Sequence, residues 1–286
     1  MIEKFFTEAV LVGIIASGIR LATPYLYASI GETFGQRSGV LNLGVEGQML
    51  LGAFAAFYVS LTTGNLWFGL LAAMLTGLIM GLGMAFVSIN LQAVQGISGI
   101  GFYLFGLGLS DLLFQKLMGT VVTVSGFRPI YFPVLSDLPI VGQIFFNHNI
   151  LVYGAYAMVF VAWFVLNKTT LGLKIKAVGE SPEAADSLGV SVSKIRYLTI
   201  SFGGMMSGIA GASLSIALLN VFQQNMTSGL GFIAVALVYF GGWRPIAVMG
   251  GALLFSMVNS LQLWVQVLNI PIPSDFAVMM PYVLTI

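Results

Sequence analysis

The chain has 286 residues, of which 58% are hydrophobic and only 7% are charged, and its net charge is +1. A soluble domain carries about 25% charged residues, so most of this surface must face lipid, and the near-neutral charge gives no support to a nucleic-acid partner. Cysteine is absent and His148 is the single histidine. These counts exclude disulfides and thiolate chemistry and leave no cluster for a metal centre, so we expect no metal.

Span-length apolar runs, near the roughly 20 residues that a helix needs to cross a bilayer, occur along the whole chain. They lie at 9–30, 40–61, 67–89, 98–114, 148–166, 197–222 and 245–268, and two runs at 231–242 and 277–286 are shorter. We predict an all-α, polytopic membrane protein in one transmembrane domain, with about 8–10 transmembrane or half-membrane helices that include broken or re-entrant segments. Because the last run is short, we expect an incomplete final span.

Arg20 falls inside the first apolar run. Either its charge is paired within the bundle, or the span ends near Ile19 and Arg20 lies at the interface. Pro24 favours the second interpretation, because proline disturbs the interior of a helix. Farther along, glycines four residues apart, such as Gly77 with Gly81 and Gly204 with Gly208, predict close helix packing in lipid.

Polar residues and glycines interrupt the second apolar run. Residues 38–54 read SGVLNLGVEGQMLLGAF and include Asn42, Glu46 and Gly47. A glycine-rich break frees backbone groups, which is tolerable only against protein or a water-lined cavity. A carboxylate at membrane depth is costly and indicates a site or a pathway. The alternative is that residues 38–46 lie along the interface and leave Glu46 solvated.

Residues 119–147 are rich in proline, glycine and aromatic side chains and contain no span-length run. We predict an extracytoplasmic excursion with short helices, where a delivery protein could dock. A plain connector is the alternative.

A charged segment follows at 167–196. It holds eight charged residues of a chain that has 11 Lys and Arg and 10 Asp and Glu in all. Its excess of cations places it in the cytoplasm by the positive-inside rule. A structured charged loop on a membrane protein predicts contact with a soluble partner.

A short helix is expected over residues 182–188 of this segment. Ser181 would cap it, Pro182 suits its first position, Glu183 suits its dipole and Gly189 suits the position past its end. Such a short helix frays in water unless a partner holds it. We expect one side of this helix, formed by Ala184, Ala185 and Leu188, to dock into a groove on a partner. The alternative is a surface helix that covers the bundle.

A second glycine-interrupted segment, SGLGFIAVALVYFGGWRP, occupies residues 228–245. Its apolar part rises about 18 Å, which is short of the ~30 Å hydrocarbon core. Two such broken segments in the two halves of a transporter indicate a midplane binding site. We predict that residues 42–47 and 229–232 face one another, or a partner's equivalents, around a central cavity. The candidate pathway residues are Asn42, Glu46, Gly47, Gln95, Ser98, Phe102, Gly229, Gly231 and Phe232.

Three stretches together resemble the permease subunits of bacterial ABC importers in the branched-chain amino acid, simple sugar and nucleoside group. Residues 38–54 resemble the nucleoside-type version, residues 169–195 (TTLGLKIKAVGESPEAADSLGVSVSKI) resemble the cytoplasmic coupling loop, and residues 229–245 resemble the late glycine-rich element. The resemblance implies a coupling role for Gly179, Glu180, Ser181, Pro182, Glu183, Ala184, Ala185, Leu188 and Gly189.

The resemblance also implies partners and a location. These are two ATPase subunits, a second homologous permease or a copy of this chain, and an extracytoplasmic substrate-binding lipoprotein, all at the bacterial cytoplasmic membrane. The expected cargo is a small neutral solute. A nucleoside is the preferred candidate, and a simple sugar or a branched-chain amino acid is the alternative.

The sequence contains no glycine-rich loop ending in Lys-Ser/Thr. We therefore expect no cofactor on this chain, with ATP and Mg²⁺ on the partner ATPases, and no enzymatic activity of its own. An ion-coupled secondary transporter is the alternative class. It predicts chains of intramembrane carboxylates or histidines, and Glu46 alone gives little support to such a chain. An intramembrane enzyme lacks any nucleophile–base or metal constellation.

Overall fold

The computed structural model describes residues 7–268 and Met279, and the regular structure within that part is helical. Helices α1 to α6 are Glu8–Arg37, Val45–Thr63, Leu66–Ala85, Gln95–Leu117, Val141–Phe145 and Ile150–Lys168. Helices α7 to α11 are Thr170–Glu180, Pro182–Ser187, Val192–Ser213, Leu230–Phe240 and Pro245–Val267. Short π-helical segments, Phe86–Asn90 and Leu214–Leu218, prolong α3 and α9.

Seven of the described helices, α1, α2, α3, α4, α6, α9 and α11, are long and apolar enough to cross a membrane, and α10 is a shorter apolar helix. The predicted all-α, polytopic membrane fold is therefore confirmed, and the short run at 231–242 is the half-length helix α10. The expected incomplete span at 277–286 lies outside the described residues, apart from Met279.

The predicted end of the first span near Ile19 is wrong. Helix α1 continues through Pro24 to Arg37, 30 residues in all. Every residue from Ala22 to Gly35 is buried, because this part of α1 packs against α9, α10 and α11. That burial stabilises the helix across the proline, whose cost in a helix interior is about 3 kcal/mol. Arg20 is exposed, and its guanidinium donates to the Ser17 hydroxyl at 3.3 Å.

Helix α9 forms the centre of the bundle, with α1, α2 and α3 packed around it. The predicted glycine packing is confirmed, because a Cβ atom on Gly77 would overlap the carbonyl oxygen of Gly204. A Cβ atom on Gly208 would likewise overlap the carbonyl oxygen of Ala73. Small residues thus allow the backbones of α3 and α9 to touch. Within lipid there is no hydrophobic effect to hold helices together, so van der Waals contact between the backbones stabilises the pair.

One end of the bundle carries the charged segment, and we call it the charged end. The chain leaves α1 there, α10 ends there and α11 begins there. Trp243, between α10 and α11, donates from Nε1 to Oε1 of Gln36 at 2.8 Å. Its carbonyl oxygen accepts from Nε of Arg37 at 3.2 Å. Arg196, at the start of α9, donates from Nε to the carbonyl oxygen of Ser38 at 3.2 Å.

The segment 119–147 lies at the opposite end and contains the short helix α5. It is tied to the residues that follow α9, because the amide of Val124 donates to the carbonyl oxygen of Asn220 at 3.0 Å. The amide of Phe127 similarly donates to the carbonyl oxygen of Ile216 at 3.0 Å.

Candidate functional site

The buried carboxylate of Glu46 joins α2 to α10. Its Oε1 accepts hydrogen bonds from the Thr227 hydroxyl at 2.6 Å and from the Gly229 amide at 2.7 Å, and its Oε2 accepts from the Gly231 amide at 2.6 Å. The first amides of a helix have no partner within the helix, and the helix dipole favours a negative charge there. Glu46 therefore caps α10 from another helix, and we call these four residues the α2–α10 contact.

Two glycines make this contact possible. Gly229 has φ +91°, a backbone conformation that L side chains rarely adopt. A Cβ atom on Gly231 would lie 2.6 Å from Cα of Glu46, so a side chain there would push the two helices apart. Both residues were predicted pathway candidates. At Gly231 the lack of a side chain admits the carboxylate, whereas at Gly229 the positive φ favours glycine and a Cβ atom would meet open space.

The α2–α10 contact lies at membrane depth. Helix α10 has 11 residues and so rises about 16 Å, and Trp243 fixes its last turn at the charged end. Glu46, at the first turn of α10, is therefore roughly halfway through a ~30 Å core. It has 0% exposed surface, so the alternative in which residues 38–46 leave Glu46 solvated is wrong.

A second buried carboxylate, Glu32 on α1, stabilises the break between α1 and α2. Its Oε1 accepts from the amide of Asn42 at 2.9 Å and from Nε2 of Gln36 at 3.1 Å. The Asn42 side chain accepts from the Gly44 amide at 2.9 Å and donates to Oε1 of Gln48 at 3.2 Å. Side chains thus satisfy backbone groups that the break would leave without partners.

Glu32 was not predicted as a site residue. The signal was present, because an acidic residue within a buried run of small and apolar residues is as costly as Glu46. Thr227 was missed as well, since a threonine hydroxyl gives no signal in the sequence.

The remaining candidates of the first half lie on or against α4. Oε1 of Gln95 accepts from the amide of Leu41 at 2.9 Å, which holds the break against the start of α4. A Cβ atom on Gly47 would lie 2.6 Å from the carbonyl oxygen of Phe102. Ser98 and Phe102 line an open cavity of about 350 Å³.

Phe232 lies on the exposed side of α10 and meets α4. Its ring packs edge to face against Tyr103, with ring centroids 5.2 Å apart. We call Ser98, Phe102, Tyr103 and Phe232 the α4 face. The predicted pathway residues therefore separate into the buried α2–α10 contact with its supporting break and the partly exposed α4 face. Because residues 42–47 and 229–232 are in hydrogen-bonding contact, no cavity separates these segments within this chain.

The predicted short helix is present as α8, Pro182–Ser187. Gly189 beyond its end has φ +81°, as expected for the position past a helix. The expected cap from the Ser181 hydroxyl is absent: no side-chain capping bond forms. The Ser181 carbonyl instead accepts from the Ala185 amide at 3.0 Å.

The prediction that Ala184, Ala185 and Leu188 share one side of this helix is wrong. Ala185 is only 3% exposed because it packs into the chain's own interior, whereas Leu188 is 84% exposed and Ala184 is also exposed. Glu180 and Glu183 are exposed as well. Gly179 packs against α1, since a Cβ atom there would overlap the carbonyl oxygen of Arg37. The outward surface of α8 therefore includes Ala184 together with Glu183, Asp186 and Ser187, and Leu188 is exposed just past its end.

A multi-pass helical bundle with a half-length helix fixed at membrane depth, and with a short exposed helix at its charged end, defines a membrane permease. The chain belongs to the family of branched-chain amino acid transport system permease components, which it matches over residues 14–286. No solved structure matches the chain.

Three relatives are similar over most of their length. TsgC13 of Haloferax volcanii, provisionally named a glucose ABC transporter permease, is 42% identical over 90% of this chain and 79% of its own. The guanosine ABC transporter permease NupQ of Bacillus subtilis is 36% identical over 96% of this chain and 89% of its own. The nucleoside ABC transporter permease NupC of Lactococcus lactis is 35% identical over 96% of this chain and 90% of its own. The chain is thus an ABC transporter permease, a transport subunit and not an enzyme.

Proposed function

We propose that this permease imports nucleosides. The observation that carries the proposal is the similarity, over 96% of the chain, to relatives named for guanosine and nucleoside transport. The site is compatible with a neutral cargo: three donors occupy the Glu46 carboxylate, and the residues of the α4 face carry no charge. A neutral amphipathic solute needs no counter-ion at membrane depth.

A simple sugar is the second candidate, because the Haloferax volcanii relative at 42% identity is named for glucose. Uptake of labelled guanosine, ribose, glucose and leucine would be compared in cells with and without this subunit. We expect guanosine uptake to be lost and the other three to be unchanged. Loss of sugar or leucine uptake, with guanosine uptake intact, would contradict the nucleoside assignment.

The permease is proposed to work with a second homologous permease or a copy of itself, two ATPase subunits that bind ATP and Mg²⁺, and an extracytoplasmic substrate-binding lipoprotein. The chain itself binds no cofactor. The location is the bacterial cytoplasmic membrane, with the charged end in the cytoplasm because its loop is rich in Lys and Arg. Among the spanning helices within residues 7–268, α4 is the least covered: 22% of its most apolar stretch is buried, against 83% for α9. This supports a pathway between the α4 face and the second permease.

The ATPase contact is proposed to use α8. Its exposed Ala184, with Leu188 just past its end, would lie in an ATPase groove and transmit ATPase closure to the bundle. Ala184→Trp would fill that groove without disturbing the chain's own interior. We expect uptake to fall while ATP hydrolysis in the purified complex continues.

The matched control for this experiment is Leu75→Trp, a change at a 58% exposed position of the spanning helix α3, outside the charged end and outside segment 119–147. It should leave the ratio of uptake to hydrolysis near the native value. If Ala184→Trp also leaves that ratio unaltered, α8 has no coupling role.

A further inference from the structure

An open cavity of about 620 Å³ lies at the charged end of the bundle, away from the α2–α10 contact. Its walls combine three cations with an indole ring, an amide and an apolar side chain: Arg37, Lys176, Arg244, Trp163, Asn167 and Ile246. These residues come from the ends of α1, α6 and α7 and from the start of α11. Every ionisable side chain that lines the cavity is therefore a cation.

The positive charge of this cavity is not neutralised by the protein. Lys176 donates from Nζ to the side-chain oxygen of Asn167 at 3.0 Å, and Arg37 donates from Nε to the Trp243 carbonyl. Within residues 7–268, none of the three cations is paired with a carboxylate, and the Arg244 guanidinium has no hydrogen-bond partner. Three like charges held around one cavity repel one another, so an anion bound between them is stabilised.

The surroundings of the cavity are apolar on the outer surface of the bundle. On α6, Phe160 is 58% exposed and Phe164 is 55% exposed, on either side of Trp163. On α11, Ile246 is 45% exposed beside Arg244. Tryptophan is enriched where hydrocarbon meets the polar headgroups. The cavity therefore opens at the boundary between lipid and water, with cations inside and apolar side chains along the bilayer.

We propose that this cavity binds the headgroup of an anionic phospholipid of the surrounding bilayer. The phosphate oxygens lie between Lys176 and Arg244, and the acyl chains run along Phe160 and Phe164. A guanidinium binds phosphate oxygens with two parallel hydrogen bonds, and basic pockets between transmembrane helices are suited to anionic headgroups. A free phosphate would use the same cations but would gain nothing from the aromatic side chains of α6.

The test uses the full-length protein, purified and reconstituted in nanodiscs of phosphatidylcholine with or without phosphatidylglycerol. Native mass spectrometry then counts the lipids that the protein retains. Lys176→Gln and Arg244→Gln remove the cations, singly and together. Lys174→Gln removes an exposed cation two residues away on the same helix, outside the cavity, and is the matched control.

We expect retention of phosphatidylglycerol over phosphatidylcholine, with affinity about fivefold weaker for each cation removed and about thirtyfold weaker for the double variant. The control should bind as the native protein does. Equal retention of the two lipids, or an equal loss in Lys174→Gln, would overturn the proposal.

Inorganic phosphate, added at millimolar concentration without lipid, separates the two sources of the anion. If phosphate stabilises the native protein against heat as well as phosphatidylglycerol does, the site is an anion site and not a lipid site. Should the double variant fail to fold, the single variants and the comparison of the two lipids in the native protein still decide the question.

Discussion

Replacing Glu46 with glutamine tests whether the α2–α10 contact holds α10 at membrane depth. The carboxylate accepts three hydrogen bonds on two oxygens. Glutamine has a single oxygen, which can serve the Thr227 hydroxyl and the Gly229 amide if it takes the place of Oε1. Its NH₂ group then points at the Gly231 amide, so two donors face one another and a buried N–H loses its partner.

The magnitude follows from these three bonds. An unsatisfied buried donor costs about 1–3 kcal/mol, while interhelical hydrogen bonds in membranes contribute about 0.6–1.7 kcal/mol each. We therefore expect Glu46→Gln to lower the free energy of unfolding by about 2–4 kcal/mol. Thr227→Val removes one hydroxyl donor and keeps both backbone donors, so its cost should be about 1 kcal/mol. For a chain of this size each kcal/mol lowers the unfolding temperature by about 2–4 °C.

The assay is thermal unfolding of the purified protein, with guanosine uptake measured in parallel. Ser228→Ala is the control, because that hydroxyl bonds the carbonyl oxygen of Asn225 at 2.9 Å and does not contact Glu46. It should unfold at the native temperature. An unfolding temperature for Glu46→Gln within ~1 °C of the native value would refute the reasoning, since the three bonds would then contribute nothing net.

Two further predictions concern the bundle and its orientation. Gly204→Ala should lower the unfolding temperature markedly, because the new methyl group overlaps the backbone of Gly77. Its control is Gly101→Ala on α4, which should be neutral or slightly stabilising because no neighbouring atom lies within 4 Å of that Cβ position. Because the chain has no cysteine, single-cysteine labelling in cells can test the orientation. A membrane-impermeant maleimide should modify Ser125→Cys directly but Ser187→Cys only after the membrane is opened, and the reverse pattern would place the charged end outside.

Local signals in the sequence were enough to predict α8 and α10. Proline at the first position and glycine past the end delimit α8, because both residues act through their own backbone geometry. Gly229 likewise begins α10 through its positive φ. The same local reasoning failed at Pro24, where packing of α1 against α9, α10 and α11 outweighs the cost of a proline within the helix.

The partners of the predicted site residues could not be read from the sequence. The Thr227 hydroxyl and the Glu46 carboxylate are 181 residues apart, so no spacing rule connects them. Ala185 was expected to face outward beside Ala184, yet tertiary packing of α8 leaves it only 3% exposed. The cost of an intramembrane carboxylate showed that Glu46 needs a partner, but the identity of that partner depends on tertiary structure.

Hydrogen bonds tie α10 to the α1–α2 region at both of its ends. At its first turn, Glu46 of α2 accepts from the Gly229 and Gly231 amides. Past its last turn, the Trp243 indole donates to Gln36, whose amide donates in turn to Glu32.

Glu32 also accepts from the amide of Asn42, which lies four residues before Glu46 in the chain. These bonds, together with the backbone between Asn42 and Glu46, connect one end of α10 to the other. A shift of α10 against α2 would break charge-assisted bonds in a region where water cannot replace them. We therefore expect α1, the start of α2 and α10 to move as one body during transport, so that the pathway opens at the weakly covered α4 face.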